Sequence, residues 1–445
     1  MNRRSFVKTL AVASSAAAQS PTPQRPPNII HFLADDLGYD DIAPYGAKGI
    51  ATPNLNRMAE AGMRFTDFYA PASVCTPSRA AILTGRYSAR SKPLWNILYP
   101  GAKGITPESE ITIGTLLRKA GYRSGLIGKW HLGDVPESLP PNNGFDHYYG
   151  TPYPNDFLPE VQKDYPPIPI YRGLEKVEVP ADLPNMPDKF TADALRFIDD
   201  HRDRPFFLHF ANIETHTPWF VPKRFHGKSS IGAYGDAVEC MDWCYGQIVD
   251  KVKSLGLEKN TLIVFSSDNG PLAAESPSVP KLKTVFHEYA DPRPASVHRL
   301  RGYKGTSHWE GGPRVPAIFN WPGVIPPATE CHEVTGGMDL FTTFAKVAGA
   351  PIPSDRPIDG QDLMPLLRGA AETKSLHQAF FSYSGGRLGG VRKGKWKLSL
   401  PPNQEPKLYD LDQDLRESRD VSDSFPAVMK EMLALAGQGR KISAR

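Results

Sequence analysis

The chain reads as an α/β protein: a mixed, mostly parallel sheet sandwiched by helices, followed by a smaller C-terminal part with an antiparallel sheet. Three observations predict this. The runs at 28–34 (NIIHFLA), 205–211 (PFFLHFA) and 261–267 (TLIVFSS) are short and apolar throughout, as expected of strands covered on both faces. Segments of helical periodicity lie between them, the alternation that builds parallel sheets. From about Pro351 the texture changes to short segments divided by Gly-Gly and Lys-Gly, the pattern of hairpins.

Taken in order, 53–62 has helical spacing with Pro near its start and Gly at its end. A strand is expected at 64–69, and the opening turns of a helix at 78–83. A helix at 111–121 ends in Gly, and a strand at 123–127 runs into Gly128-Lys129-Trp130-His131. After a Pro-rich stretch, 152–187, helical periodicity returns at 191–203 and again at 231–255. The C-terminal hairpins are placed at 378–383, 389–393 and 395–400, with a final helix near 426–436. The expected organisation is a catalytic domain over 28–350 and an α+β subdomain over 351–445.

With 445 residues, 40% hydrophobic and 22% charged, the chain has material for a sizeable core. A net charge of +4 without long basic runs argues against a nucleic-acid or membrane-surface role. Residues 1–18 carry Arg3-Arg4-Ser5-Phe6-Val7-Lys8, a short mild apolar run and Ala16-Ala17-Ala18. This is the layout of an export signal, too short for a stable membrane anchor. The paired arginines resemble a twin-arginine signal, which carries folded proteins; an ordinary secretory signal is the alternative. Residues 19–27 read as an extended spacer. The expected destination is the periplasm or the exterior, with the export machinery as a partner. Of the four cysteines, Cys240 and Cys244 read as small buried apolar residues, and Cys331 carries no signal of its own.

Polar residues recur just beyond the strands. Asp35-Asp36, Lys129 and His131, His216, and Asp268-Asn269 each follow an apolar run, and in open α/β sheets ligands bind beyond the carboxyl ends of the strands. Two acidic pairs supply the clustered oxygens that hard cations prefer, although each pair alone also fits a turn or helix cap. Arg79, Lys129, His131, His216 and Lys304 stand in loop contexts beside Gly, Pro or Trp. Several such donors with a metal would stabilise an anionic ester under attack; each alone is equally a solvated charge. Cys75 precedes an expected helix, a position that favours a reactive thiolate, yet a thiolate has no evident way to turn over a sulfate or phosphate ester.

The segment Cys75-Thr76-Pro77-Ser78-Arg79, continuing to Gly85-Arg86, resembles the modification signature of the type I sulfatases of the alkaline-phosphatase-like superfamily. Pro27 to Gly38, Thr52-Pro53-Asn54-Leu55, Gly62-Met63-Arg64-Phe65, Gly128 to Gly133, His216-Thr217-Pro218, Ser267 to Gly270, Lys304-Gly305-Thr306, Trp309 to Gly312 and Leu408 to Leu411 continue the likeness in order, over roughly residues 27 to 420. The resemblance implies an alkaline-phosphatase-like fold and an arylsulfatase-type hydrolase of sulfate monoesters. Its nucleophile would be formylglycine, made from Cys75 by a formylglycine-generating enzyme. One hydroxyl of the hydrated aldehyde would attack sulfur, and the other would expel sulfate by re-forming the aldehyde. Asp35, Asp36, Asp268, Asn269 and residue 75 would hold one Ca2+. Arg79 and Lys129 would stabilise the hydrate, and His131 would act as base. Lys129, His216 and Lys304 would bind sulfate oxygens, with His216 or Lys304 protonating the leaving alcohol.

The sequence departs from arylsulfatase-A-like members at Pro154, which stands where they carry Ser; Asn155 is the candidate replacement donor. Sulfated sugars or glycan fragments, and aryl sulfates, are the expected substrates. The alternatives are a phosphodiesterase or phosphonate monoester hydrolase of the same superfamily, and a non-catalytic sulfoglycan-binding protein. Loops 92–103, 152–171 and 272–301 are expected at the pocket rim, where Trp95, Tyr99, His287, Arg293 and His298 serve sugar and anion contacts or are ordinary surface.

Overall fold

Asn28–Ala34 (β1) is buried along its whole length, because both of its lateral neighbours are strands and both of its faces carry helices. The computed structural model describes residues 25–369, 373–375 and 377–443; the signal segment at 1–18 and most of the spacer at 19–27 lie outside the described residues. The strands after β1 are Met63–Phe65 (β2), Phe68–Tyr69 (β3), Arg123–Lys129 (β4), His147–Thr151 (β5), Ile170–Arg172 (β6), Glu175–Glu178 (β7), Phe206–Ala211 (β8), Thr261–Ser267 (β9), Ala317–Asn320 (β10), Thr329–Cys331 (β11) and Thr335–Gly336 (β12). β1 and nine of these form one ten-stranded sheet in the order β11-β2-β10-β9-β1-β8-β4-β5-β6-β7, and β3 pairs with β12 apart from it. The five central strands, β9 to β5, run parallel, while β10, β6 and β7 pair antiparallel towards the edges.

Side-chain alternation along β1 explains why its sequence is apolar throughout. Ile30 and Phe32 enter the core layer beneath the helices Met186–Asp200 and Ala233–Ser254, and Ile29 enters the opposite layer with the helices Ile113–Lys119 and Asp339–Val347. Phe32 stacks on Phe210 and Phe265 of the flanking strands at 5.0 and 5.7 Å. Burying each such side chain stabilises the fold by roughly 1.5–3 kcal/mol.

Phe380–Ser384 (β13), Arg387–Lys393 (β14), Trp396–Ser399 (β15) and Lys407–Asp410 (β16) form a four-stranded antiparallel sheet, packed by the helix Pro426–Ser443. The fold is therefore the expected one. Differences are local. The helix carrying Cys75 starts at Cys75 and runs to Thr84, because Pro77 falls in its first turn, where a missing N–H costs nothing. The helix expected at 191 starts at Met186 for the same reason, with Pro187 in its first turn. The stretch 152–187 contains the β6–β7 hairpin, and 64–69 divides into β2 and β3. All four cysteines are buried and unbridged.

Candidate active site

The parallel register brings the polar residues together. Ala34 pairs with Ser267, and Leu33 and Gly128 both pair with Ala211, so β1, β4, β8 and β9 end at one edge of the sheet. Asp35-Asp36, Lys129 to His131, the 212–216 turn and Asp268-Asn269 leave from that edge. Lys129 is the last residue of β4 rather than the first after it. The helix Cys75–Thr84, all ten of its residues buried, directs its first residue at the same place: Cys75 Sγ lies 3.6 Å from Asp35 Oδ1 and 3.8 Å from Asp36 Oδ1.

Each buried carboxylate has a cation of its own. Lys129 Nζ donates to Asp35 Oδ2 at 2.6 Å, Lys304 Nζ to Asp36 Oδ2 at 2.7 Å, and Arg79 Nε to Asp268 Oδ2 at 2.8 Å. Arg79 also lies 3.5 Å from Asp35 and donates to the Lys129 carbonyl at 3.0 Å. Burial alone would raise the Asp35 carboxyl, but Lys129 and Arg79 hold it well below the usual carboxylate range. Asp268 is pushed up to about 7 by burial and by the charge of Asp35. Burial also drives the Cys75 thiol up, more strongly than Lys129 and Lys304 pull it down. An unmodified Cys75 is thus held as a thiol and is poorly suited to attack.

His216 and His131 are both buried beside these charges. His216 Nε2 faces Lys304 Nζ at 3.2 Å and Asp36 Oδ2 at 3.6 Å, while Nδ1 lies 3.0 Å from Asn155 Oδ1 and 2.7 Å from the Thr217 carbonyl. With both Nδ1 partners able to accept, the hydrogen-bond network assigns the ring proton to Nδ1 and leaves Nε2 facing the cations. Burial and Lys304 lower its basicity; burial, Lys129 and Arg79 lower that of His131 further. His131 Nε2 contacts the Leu98 carbonyl at 3.1 Å, and its buried Nδ1 has no partner among the described residues.

The side chains fit a hard cation. Ligand atoms of Asp35, Asp36, Cys75 and His216 lie within 4.8 Å of one another. Asp36 adopts a left-handed backbone, φ +57°, its N–H donating to Asp268 Oδ1 at 3.1 Å. Asn269 donates to Asp36 Oδ1 at 2.7 Å, but its own amide oxygen is buried with no partner among the described residues. An orphaned oxygen at a carboxylate cluster is the feature a Ca2+ ligand set would satisfy.

All the predicted site residues converge here. Above them opens a cavity of ≈ 490 Å3, lined by Cys75, His131, His216 and Lys304 at its base and by Tyr99, Phe157, Tyr165 and Lys281 towards the rim. Of the rim side chains proposed from sequence, only Tyr99 lines it. Trp95 instead donates to the Ala89 carbonyl; Arg293 pairs with Asp41, and His298 lies 3.2 Å from Asp40. His287 is likewise absent from the lining. Sequence reasoning passed over Phe157 and Tyr165, which continue a stack from Tyr99 at 5.4 and 5.0 Å, and Thr215, whose hydroxyl donates to the Asp35 carbonyl. For Phe157 and Tyr165 the signal was aromatic content in a loop already placed at the rim; Thr215 carried none.

Comparison with known proteins agrees with this geometry. A family model described as Sulfatase matches residues 27–350, and one described as N-sulphoglucosamine sulphohydrolase, C-terminal, matches residues 304–435. The chain is 36% identical to arylsulfatase A of Bos taurus, an alignment covering 97% of this chain and 89% of that protein. It is 38% identical to N-acetylgalactosamine-6-sulfatase of Rattus norvegicus over 89% of this chain and 75% of the relative. The crystal structure of Ps i-CgsB, in complex with k-i-k-neocarrahexaose, superposes with a TM-score of 0.80 at 28% identity, covering 94% of each chain. The chain belongs to the sulfatase family of sulfuric ester hydrolases.

Proposed function

We propose that this sulfatase acts on sulfated sugars or glycan fragments, and also on aryl sulfates, with formylglycine made from Cys75 and one bound Ca2+. The observation that carries the reading is the charge arrangement around Cys75: three buried carboxylates, each paired with one cation, at the floor of an aromatic-walled cavity. Asp35, Asp36, Asp268, Asn269 and residue 75 would hold the calcium, whose added charge favours an anionic ester. The aldehyde supplies, as its hydrate, an oxygen nucleophile in place of a thiol that burial keeps protonated.

The remaining chemistry belongs to the chain's own side chains. Arg79 and Lys129 hold residue 75 against Asp35. Lys129 and Lys304 present N–H groups and positive charge to the sulfate oxygens, and His216 Nε2 stands beside Lys304 Nζ at 3.2 Å. Lys304 Nζ, kept charged by Asp36 despite its burial, shares its proton with His216 Nε2, and this pair protonates the leaving alcohol. His131, held neutral by burial and by Lys129 and Arg79, is the base for turnover of the sulfated state. The glycan preference is supported by the sugar-bound relative and by the Tyr99–Phe157–Tyr165 stack. The catalytic part is assigned to 28–350 and the C-terminal subdomain to 351–445. Among the described residues no helix is long and apolar enough to cross a membrane. Export by the segment at 1–18, with residue 75 oxidised before the fold closes, suits a side chain that is 1% exposed.

The test is turnover of 4-nitrophenyl sulfate against 4-nitrophenyl phosphate at equal concentration, before and after chelation. Preference for sulfate, loss on chelation and recovery with Ca2+ are expected. A preference for phosphate would overturn the assignment of substrate.

A further inference from the structure

A second cavity, of ≈ 600 Å3, lies beside the catalytic one, among the 305–308 loop, the tip of the β13–β14 hairpin, the 400–406 loop and the end of the helix Pro426–Ser443. Its lining includes Arg387, Arg440, Asn403 and Gln404 and, among the described residues, no Asp or Glu. Both arginines are exposed at the cavity. Among the described residues, the remaining titratable side chain of the lining is His308, which burial and nearby Lys397 hold neutral, down to about 4. Two guanidinium groups with amide side chains and no opposing carboxylate make a site for an anion, and guanidinium geometry suits sulfate and carboxylate oxygens.

The two cavities share Gly305, the residue after Lys304. Gly305 has φ +90°, its N–H donates to the Ser73 carbonyl at 2.7 Å, and a Cβ added there would meet nothing within 4 Å. It is the residue common to the linings of the two spaces. The hairpin tip also abuts the loop that supplies Ile97 and Tyr99 to the first cavity: Gly386 packs on Trp95 of that loop.

We propose that Arg387 and Arg440 form an anion subsite for a sulfate ester or carboxylate on a sugar unit neighbouring the one being desulfated. The enzyme would therefore select multiply charged glycans over singly charged esters. This rests on the sulfatase reading above and adds the charge state of the preferred substrate to it.

The experiment uses hexasaccharides of chondroitin sulfate, heparin and carrageenan as competitors of 4-nitrophenyl sulfate turnover by the mature enzyme. The comparison is between wild type, R387A/R440A and R387K/R440K. 4-Nitrophenyl sulfate carries a single anionic group, the one being hydrolysed, so its kcat and KM report on the catalytic cavity and on folding. At least one hexasaccharide is expected to inhibit the wild type, with Ki rising by about tenfold or more in R387A/R440A and partly restored in R387K/R440K. An unchanged Ki in R387A/R440A, or no inhibition of wild type by any of the three, would overturn the subsite. Absence of 4-nitrophenyl sulfate turnover in formylglycine-bearing wild type would instead overturn the functional reading beneath it.

Discussion

Asn155 follows Pro154, the residue at which the sequence departs from the arylsulfatase-A-like pattern. Its Oδ1 lies 3.0 Å from His216 Nδ1, and its Nδ2 donates to the carbonyls of His216 and Pro218 at 3.2 and 3.0 Å. A proline cannot make such a contact, and the neighbouring amide supplies it from the same turn. Replacing Asn155 by Ala removes the orienting contact without opening the core. The expected result is a fall in kcat for 4-nitrophenyl sulfate of about tenfold, with KM and the unfolding midpoint little changed. A KM effect with kcat intact would contradict an orienting role. Asp35, Asp36, Lys129, His131, His216 and Asp268 were legible in sequence because each stands at or just beyond an apolar strand, whereas Arg79 and Lys304 were marked by the motifs around them. Thr215, Phe157 and Tyr165 were not: their positions depend on how loops without periodicity fold back over the sheet edge.

The helix Cys75–Thr84 is unusual among the helices in having no exposed face, so its position is fixed by packing rather than by amphipathic burial. Its C-terminal end is closed by Gly85, at φ +68°, whose N–H donates to the Ala81 carbonyl at 2.9 Å. A Cβ there would come within 2.6 Å of the Phe341 ring. Gly85→Ala is therefore expected to cost about 1–3 kcal/mol of stability, from left-handed strain and overpacking together, read as a lower urea midpoint. A stability equal to wild type would mean that the helix end relaxes freely. From sequence this helix could be started only at Ser78, because Pro77 reads as a breaker until it is seen in the first turn. The β6–β7 hairpin was hidden in the same way by the prolines of 152–187. Strands β10 and β11 are too short to give a pattern of their own, and their places are set by pairing with β2.

Across the whole molecule, the large sheet and the C-terminal sheet are joined by a buried polar network. Glu310 accepts from Lys397 Nζ at 2.8 Å and from the Tyr69 hydroxyl at 2.6 Å, and Arg392 bridges Tyr69 and Asp67. Glu417 accepts from the Glu310 N–H at 2.8 Å. Burial, with Glu310 close by, raises Glu417 to about 8 against the pull of Lys397. A carboxyl raised in the folded state holds a proton that the unfolded chain releases near the ordinary glutamate value of 4.5. Its contribution is thus complete below that value and is lost as pH rises through about 8. Glu417→Gln keeps an acceptor for the Glu310 N–H and removes the titration. The stability of the variant relative to wild type should therefore grow from about pH 5 to about pH 8; a constant difference in urea unfolding would contradict this. The texture change near Pro351 marked the C-terminal sheet in sequence, but nothing there indicated that Lys397 and Glu310, far apart in the chain, would lock it to the catalytic part. The most direct test of the account is the mass of the tryptic peptide running from Phe65 to Arg79, from protein made in a host able to install formylglycine. Replacing CH2SH by CHO lowers that mass by about 18 Da, and the account predicts this shift in active protein. Active protein in which the peptide carries unmodified cysteine would contradict it.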